Sequence, residues 1–374
     1  MILESLSLLN YKNIESAELR FSDKLNCVLG ANGMGKTNLL DSIYYLSFTR
    51  PCQYLPDALV IRKGADVAMI KGEYRMQGGA MEQVSVGLRR NRSKILKRNK
   101  KEYPRLSEHV GLFPLVMIAP SDMDLIRGGS GERRAFMDQI ICQESRQYLT
   151  AAQAYRRQLE QRNALLKQDF GLDLQVLELL DEQMAHYAEQ IMLLRLEWLA
   201  RIRPIFLHNY QFIAQSDEEV SLGYLSSLGG EEHKAEQFKE AWRASFQRDR
   251  ALGYTTIGPH RDDLEMLLDG VLIRKVGSEG QNKTFMVALK FAQYSLLHQL
   301  HPHNAPILLL DDIFDKLDEQ RVGRIVELVS GSDFGQIFMS DTNRNYLDRL
   351  LQRMPKSTEY TIYLAEEGAF VPIA

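Results

Sequence analysis

Apolar and polar residues alternate along the first thirty positions in two short runs, ILESLSLLNY and AELRF, and a third run, LNCVL, leads into Gly30. A period of two marks half-buried strands, so all three segments are expected to be β-strands. After Thr37 the period changes. Leu39, Leu40, Ile43, Leu46 and Ser47 recur at helical spacing, which predicts a helix opening directly from the glycine-rich segment. Residues 60–118 return to strand texture and end in the apolar run LVMIA. Beyond Gly128, Gly129 and Gly131 no proline occurs until Pro204. Within that stretch Leu177, Leu180, Met184, Tyr187, Ile191, Leu194 and Trp198 alternate spacings of three and four, a heptad pattern. Tyr148, Ala152, Tyr155, Leu159 and Leu166 fit the same frame, with Arg162 interrupting it, and DFGLD (Asp169 to Asp173) between the two halves reads as a turn. Two objects satisfy this pattern. One is an antiparallel helical hairpin about 45–50 Å long, at 1.5 Å per residue; the other is a set of core helices in a globular bundle. Strand-and-turn texture resumes near Tyr254. The expected fold is therefore α/β, a mixed sheet with helices built from residues 1–127 and 251–374, with a helical domain inserted at 128–250.

Length agrees with about two domains, since 374 residues is long for one compact core. With 45% apolar and 25% charged residues, the composition is that of a globular protein and excludes disordered and fibrous classes. MILESLSLLN has no basic region followed by an apolar one, so no secretory leader is expected. No apolar stretch approaches the roughly 18 residues of a membrane helix, so no membrane partner is expected. Cys27, Cys52 and Cys142 lie far apart and form no CxxC pair, which excludes a zinc ribbon and argues against a disulfide framework. A cytoplasmic location follows from these readings. Overall charge is slightly acidic, 46 basic against 49 acidic residues, unlike a dedicated nucleic-acid binder. The run Arg89 to Lys101 (RRNRSKILKRNKK) nevertheless holds eight basic residues and no acid. Any phosphate backbone must therefore meet local patches on a repelling body. A solvated hairpin accounts for the run equally well, and the same two readings apply to IRKG (Ile61 to Gly64) and to Arg133-Arg134.

The chemistry is concentrated in three motifs. GANGMGKT, comprising Gly30, Ala31, Asn32, Gly33, Met34, Gly35, Lys36 and Thr37, matches G-x-x-x-x-G-K-[ST] between an apolar strand and a helix. Such a loop turns several N–H groups onto phosphate oxygens, and the helix N-terminus adds positive partial charge. Lys36 is expected on the β- and γ-phosphates of ATP and the Thr37 hydroxyl on Mg²⁺. ILLLDDIFDKLD, Ile307 to Asp318, reads as a buried strand ending in a carboxylate. There Asp311 is expected to hold Mg²⁺ through water and Asp312 to act as general base. SEGQ, from Ser278 through Gly280 to Gln281, matches the S-x-G-Q core of an ABC-type signature and opens an amphipathic helix, an anion site suited to a γ-phosphate. Leu317-Asp318 fits the short acidic turn called the D-loop, and GQIFMSD, Gly335 to Asp341, the next strand.

With these residues the chain resembles the RecF family, relatives of the structural-maintenance-of-chromosomes ATPase heads. The resemblance extends over nearly the whole length through LLNYKN (Leu8 to Asn13), GERRAFMD (Gly131 to Asp138), GYTTIGPHRDD (Gly253 to Asp263), SEGQNKT and LLLDDIFDKLD, of which TTIGPHRDD is the most family-specific. It implies a P-loop, ABC-type ATPase head made from both chain ends, with an inserted helical arm. It also implies an ATP-dependent homodimer in which Ser278 and Gly280 of one subunit close over ATP held by Lys36 of the other. Binding to DNA at gaps and single-strand/double-strand junctions, a RecR-type mediator partner, help in loading the recombinase RecA and a nucleoid-associated place in the cytoplasm are implied in the same way. Lys12 is placed near the base or ribose by resemblance, and His260 and Arg261 near the nucleotide or the dimer interface without an assigned role.

Lys275-Val276-Gly277 stands where the family usually has an aromatic residue with alanine, Asp312 replaces the glutamate of transporter-type ATPases, and Asp341-Thr342 stands where a switch histidine is usual. Other readings fit less of the chain. A transporter head carries its signature much nearer the P-loop, a chromosome-tethering ATPase needs a far longer coiled coil, and a small-molecule kinase has no use for SEGQ. A module that binds ATP only as glue shares every motif. The shorter base and the missing histidine predict slow turnover. Steady-state phosphate release without DNA should be slow, and fast turnover in that assay would contradict the prediction.

Overall fold

Why the two ends of the chain share one core follows from which strands cannot face water. In the computed structural model β1 (Ile2–Tyr11), β2 (Ile14–Arg20) and β3 (Leu25–Leu29) occupy the three expected runs. Next come β4 (Val67–Arg75), β5 (Met81–Arg89), β6 (Ile95–Arg98), β7 (Lys101–Glu102) and β8 (Leu115–Ile118). Then follow β9 (Val220–Leu225), β10 (Asp263–Leu268), β11 (Val271–Leu272), β12 (Ile307–Asp311), β13 (Ile337–Asp341), β14 (Tyr360–Glu366) and β15 (Ala369–Pro372). The structure describes all residues but Tyr54, Asp169, Phe170, Glu231, Asp315, Lys316, Ser332, Asn343 and Ala374, and all remaining side chains but those of Asn345, Tyr346 and Leu350.

Every residue of β3, β12 and β13 is buried. Strands buried on both faces belong inside a parallel sheet, and these three join one of order β15-β14-β3-β13-β12-β8. Cys27 of β3 pairs with Met339 of β13 on one side and Ile362 of β14 on the other, both parallel. β1 and β4, by contrast, bury alternate positions for much of their length, as one-faced antiparallel strands do. They lie in a second sheet of order β2-β1-β4-β5-β6-β7. The helix Lys36–Phe48 packs against strands of both sheets and is buried along nearly all its length, so its weak amphipathicity has a cause: apolar layers meet it on several sides.

The chain divides into two compact units, Met1–Asp122 with Asn209–Gln215 and Glu279–Ala374, and Met123–His208 with Ser216–Ser278. The return to the first unit thus falls at Glu279, where the sequence reading put it at 251. The reason is strand pairing. β10 runs antiparallel to β9 from Asp263↔Leu225 to Leu268↔Val220, which holds the segment before the signature in the second unit. That sheet, of order β11-β10-β9, was not anticipated among the helices.

In the second unit the helices Ser130–Glu144, Arg146–Leu166 and Ala235–Leu252 accompany the helix Leu174–Ala214, which runs on through Pro204 and belongs to this unit as far as His208. Of the expected turn between the two heptad halves, Asp169 and Phe170 lie outside the described residues; Asp173 caps the following helix, accepting from the Gln175 and Val176 amides. The heptad positions Leu177, Leu180, Met184, Ile191 and Trp198 are buried, but so are Ala185, Ala188, Met192 and Leu199. That stripe is wider than a two-helix seam and matches a helix in a packed core. Arg162, the interruption in the heptad frame, is fully buried. It donates to Asp181 at 2.6 Å, to Asp249 at 2.9 Å and to Thr255 at 2.8 Å. Replacing Arg162 by Met strands the Asp249 carboxylate, so the second unit should lose about 3–5 kcal/mol of stability, measurable by urea titration followed by helical circular dichroism.

Candidate functional site

At the carboxyl ends of the parallel strands the loop that follows β3 meets the carboxylate that ends β12 and the Ser340 hydroxyl of β13. Gly35 is the residue before the helix Lys36–Phe48 and sits at φ +105°, with the Asn13 amide 3.1 Å from where a Cβ would be. Any other residue there is strained and crowded. The loop is further tied by Asn38 donating to Asn13 Oδ1 (2.7 Å) and by the Gly368 amide donating to Met34 O (3.0 Å). Lys36, only 4% exposed, turns its ammonium onto the carbonyls of Gly30 (2.8 Å) and Ala31 (3.1 Å). Its charge is thereby held inside the loop that frames the helix N-terminus, whose first amides lack intrahelical acceptors.

Asp311 ends β12, which β13 separates from β3. Its Oδ1 accepts from the Thr37 hydroxyl (3.0 Å) and from the Ser340 hydroxyl at the end of β13 (2.5 Å). Burial raises the Asp311 carboxyl above its ordinary pKa, while those two hydroxyls and Lys36 pull it back. Asp312 follows at φ +45°, a left-handed conformation that a short polar side chain tolerates, with its amide on Ser340 O (3.3 Å). The positions of Asp311, Thr37 and Lys36 are therefore coupled by contact, and Asp312 by the backbone. Hydroxyl and carboxylate side by side form a donor set that suits a hard divalent cation, and lysine with a helix N-terminus suits a phosphate. The residues present fit Mg²⁺ and a nucleotide. Of the later part of this motif, Asp315 and Lys316 lie outside the described residues.

The signature divides between units. Ser278 ends the second, while Gly280 and Gln281 stand in the first turn of the helix Glu279–Leu300 of the first. Gly280 O accepts from the Thr284 hydroxyl at 2.8 Å, closing that turn.

Sequence reading overlooked several residues of this site. Asn13, the end of LLNYKN but given no role there, and Asn38, which no motif flags, are hydrogen-bonded to each other. Ser340 was passed over as part of an apolar strand; its only signal was a hydroxyl next to Asp341. Asp41 is 1% exposed and takes the Lys12 ammonium at 2.7 Å, the Tyr11 hydroxyl at 2.6 Å and the Cys52 amide at 2.6 Å. Lys12 is thus already neutralised. It still borders an open cavity of about 710 Å³ with Asn13, Leu59, Arg62, Lys63 and Arg90.

The softer candidates are mostly consumed by structure. Arg133 clamps Asp263 with two bonds of 2.7 and 2.9 Å, and Arg134 donates to Asp262 O at 2.7 Å. Arg62 pairs with Glu15 at 3.0 Å. In the basic run Arg90 donates to the Ala65 carbonyl, Lys94 pairs with Asp57 and Arg98 with Glu82. Arg89, Arg92, Lys97, Lys100 and Lys101 remain exposed. His260 is held between the Tyr155 hydroxyl (2.7 Å) and Thr255 O (3.0 Å), and burial lowers its pKa to about 4, so it stays neutral. Since Nε2 faces a carbonyl it carries the proton, and Nδ1 accepts from Tyr155. Arg261 is exposed, its guanidinium 4.7 Å from the Tyr254 ring centre. The TTIGPHRDD segment is accordingly a hub of the second unit: besides Thr255 and Asp263, Pro259 O accepts from buried Arg195 at 2.8 Å, and Asp262 from the Tyr224 hydroxyl at 2.5 Å.

Among the described residues no helix is long and apolar enough to cross a membrane, and no group of three or more acids, histidines and cysteines is arranged to hold a metal. Residues 2–358 match the RecF/RecN/SMC N terminal domain. The chain is 48% identical over 368 residues, 98% of its length and 99% of the relative's, to the DNA replication and repair protein RecF of Porphyromonas gingivalis. It is 48% identical to the protein of that name from Parabacteroides distasonis over the full length of both. A solved structure of the recombination mediator protein RecF with ATP, in the RecFOR pathway, superposes with a TM-score of 0.89 at 26% identity, covering 100% of this chain and 98% of that one.

The raised carboxyl of Asp311 sets a pH signature. A carboxylate whose folded pKa lies above its unfolded value costs stability once it ionises, at neutral pH, and costs nothing where both states are protonated. Asp311→Asn should therefore raise the melting midpoint of the nucleotide-free protein at neutral pH. That gain should fade as the pH falls below about 4, where carboxylates protonate.

Proposed function

The chain belongs to the family of the RecF/RecN/SMC N terminal domain, and we propose that it is a RecF-type DNA replication and repair protein whose first unit is an ABC-type ATPase head. The observation that carries this reading is the Thr37–Asp311 contact, 3.0 Å across two motifs far apart in sequence, beside the buried Lys36. Lys36 and the amides of Gly33 to Thr37 hold the phosphates, Thr37 and Asp311 the Mg²⁺, and Asp312 orients the attacking water as general base. Bound Mg²⁺ supplies neutralisation of the charge that builds on the phosphate oxygens. Lys36 must leave its loop carbonyls to reach a phosphate, exchanging two neutral acceptors for a charged one.

The second unit serves as the inserted arm. Ser278, Gly280 and Gln281 of one copy close over the nucleotide of another, giving a two-fold dimer that opens on hydrolysis. DNA at gaps and junctions is held by local basic patches, of which Arg89, Arg92, Lys97, Lys100 and Lys101 offer the exposed charges, and a RecR-type mediator joins the dimer to recombinase loading in the cytoplasm at the nucleoid. Retention of DNA should then fall with added salt as phosphate contacts release counterions.

Light scattering after size exclusion tests the reading. With Mg-ATP the protein should shift from monomer to dimer and retain gapped duplex DNA, less so at the higher of two salt concentrations. Lys36→Met should abolish tight ATP binding, and Ser278→Arg should bind ATP yet remain monomeric. Dimerisation of the Ser278 variant with ATP would refute the signature assignment.

A further inference from the structure

Gly280 has a neighbour that its role as a phosphate contact does not call for. A Cβ built on Gly280 would lie 2.6 Å from Nη1 of Arg321, closer than real Cβ contacts come, so the guanidinium rests where only glycine leaves room. Arg321 stands in the first turn of the helix Glu319–Ser330, which Asp318 caps by accepting the Arg321 amide at 2.9 Å. The Arg321 guanidinium also pairs with Asp318 through Nε at 3.3 Å. One side chain, 21% exposed, thus touches the signature glycine and the acidic turn at once. The ion pair alone would not explain this. A pair three residues apart on an exposed helix start is worth little, and it needs no glycine opposite it.

We propose that Arg321 is a positioning residue that fastens the signature segment to the Leu317–Asp318 turn, so that one copy presents both together to the nucleotide of the second. The inference rests on the composite-site reading of the preceding subsection. Its physical basis is preorganisation. Two surface segments that are ordered separately each lose conformational freedom when a partner docks, and a tie between them that exists beforehand removes part of that cost. Arginine suits the task because its planar fork pairs with Asp318 through one nitrogen while another points its end at the glycine.

The geometry also supplies the test. Nη1 is the free end of a flexible side chain, so Gly280→Ala displaces the guanidinium without disturbing the backbone. Arg321→Ala, Gly280→Ala and the double variant are compared with wild type by nucleotide titration, thermal melting and light scattering against protein concentration with Mg-ATP. Arg321→Ala should bind nucleotide and melt as wild type does, and each single variant should need about tenfold more protein to dimerise, equivalent to about 1.4 kcal/mol. The double variant should be no worse than either single one, because both remove the same tie. Arg321→Lys, which keeps the charge and loses the fork, should recover only part of the loss. Dimerisation of the single variants at wild-type concentrations overturns the inference, as does a double variant whose defect is the sum of the two, since glycine would then act by its own contact with the partner. A wild-type protein that stays monomeric with ATP overturns the composite-site reading itself, and this inference with it.

Discussion

The Asp311 carboxylate, buried at the mouth of a parallel sheet, is the point on which the first unit turns. Removing a charged group from water costs several kcal/mol unless donors replace the lost hydration. Here the donors are the hydroxyls of Thr37 and Ser340, carried by segments that follow β3 and lie on β13. Satisfying this one group therefore requires that three segments from opposite ends of the chain arrive in register. The parallel pairing of β3 between β13 and β14 provides that register, and the apolar residues of the strands supply the driving force. Burial also leaves Asp311 partly unsatisfied as an anion, which is the condition under which a cation is welcome.

The second unit is organised by the same physics with opposite charges. Arg162 and Arg195 are buried cations, and each is met by several acceptors: Asp181, Asp249 and Thr255 for the first, Asp138, the Tyr148 hydroxyl and Pro259 O for the second. All of these acceptors lie outside the helix that carries the arginine. Helices with a wide apolar stripe could slide against one another with little penalty, whereas a buried guanidinium keeps these partners in one arrangement only. Two of these acceptors, the Thr255 hydroxyl and the Pro259 carbonyl, come from the segment TTIGPHRDD.

Charge that looks available in one dimension is often spent in three. Arg133, Arg134, Arg62, Arg90, Lys94 and Arg98 all stand in basic clusters along the chain, and all hold carbonyls or carboxylates of their own fold. The other basic charge that stays exposed in the 61–64 and 89–101 runs is that of Lys63 with Arg89, Arg92, Lys97, Lys100 and Lys101, a narrower surface than the count of basic residues suggests. Arg321 is the reverse case. It belongs to no basic cluster, and its meaning comes from a glycine in another motif.

The sequence by itself determined what depends on neighbours along the chain. The strands at 2–11 and 25–29, the helix after the P-loop, and the choice of Lys36, Thr37, Asp311 and Asp312 as candidates for one site all follow from local periodicity and motif spacing, because φ/ψ preference and side-chain period act over a few residues. Only the tertiary structure decided what depends on burial. It moved the return point of the insertion from 251 to 279, because β10 found its partner in β9. It turned Arg162 from a flaw in a heptad into the centre of a core, neutralised Lys12 with Asp41, and added Asn13, Asn38 and Ser340 to the site. In each case the deciding quantity is a desolvated polar group seeking a partner far away in the chain, and no pattern of spacing along the sequence records that distance.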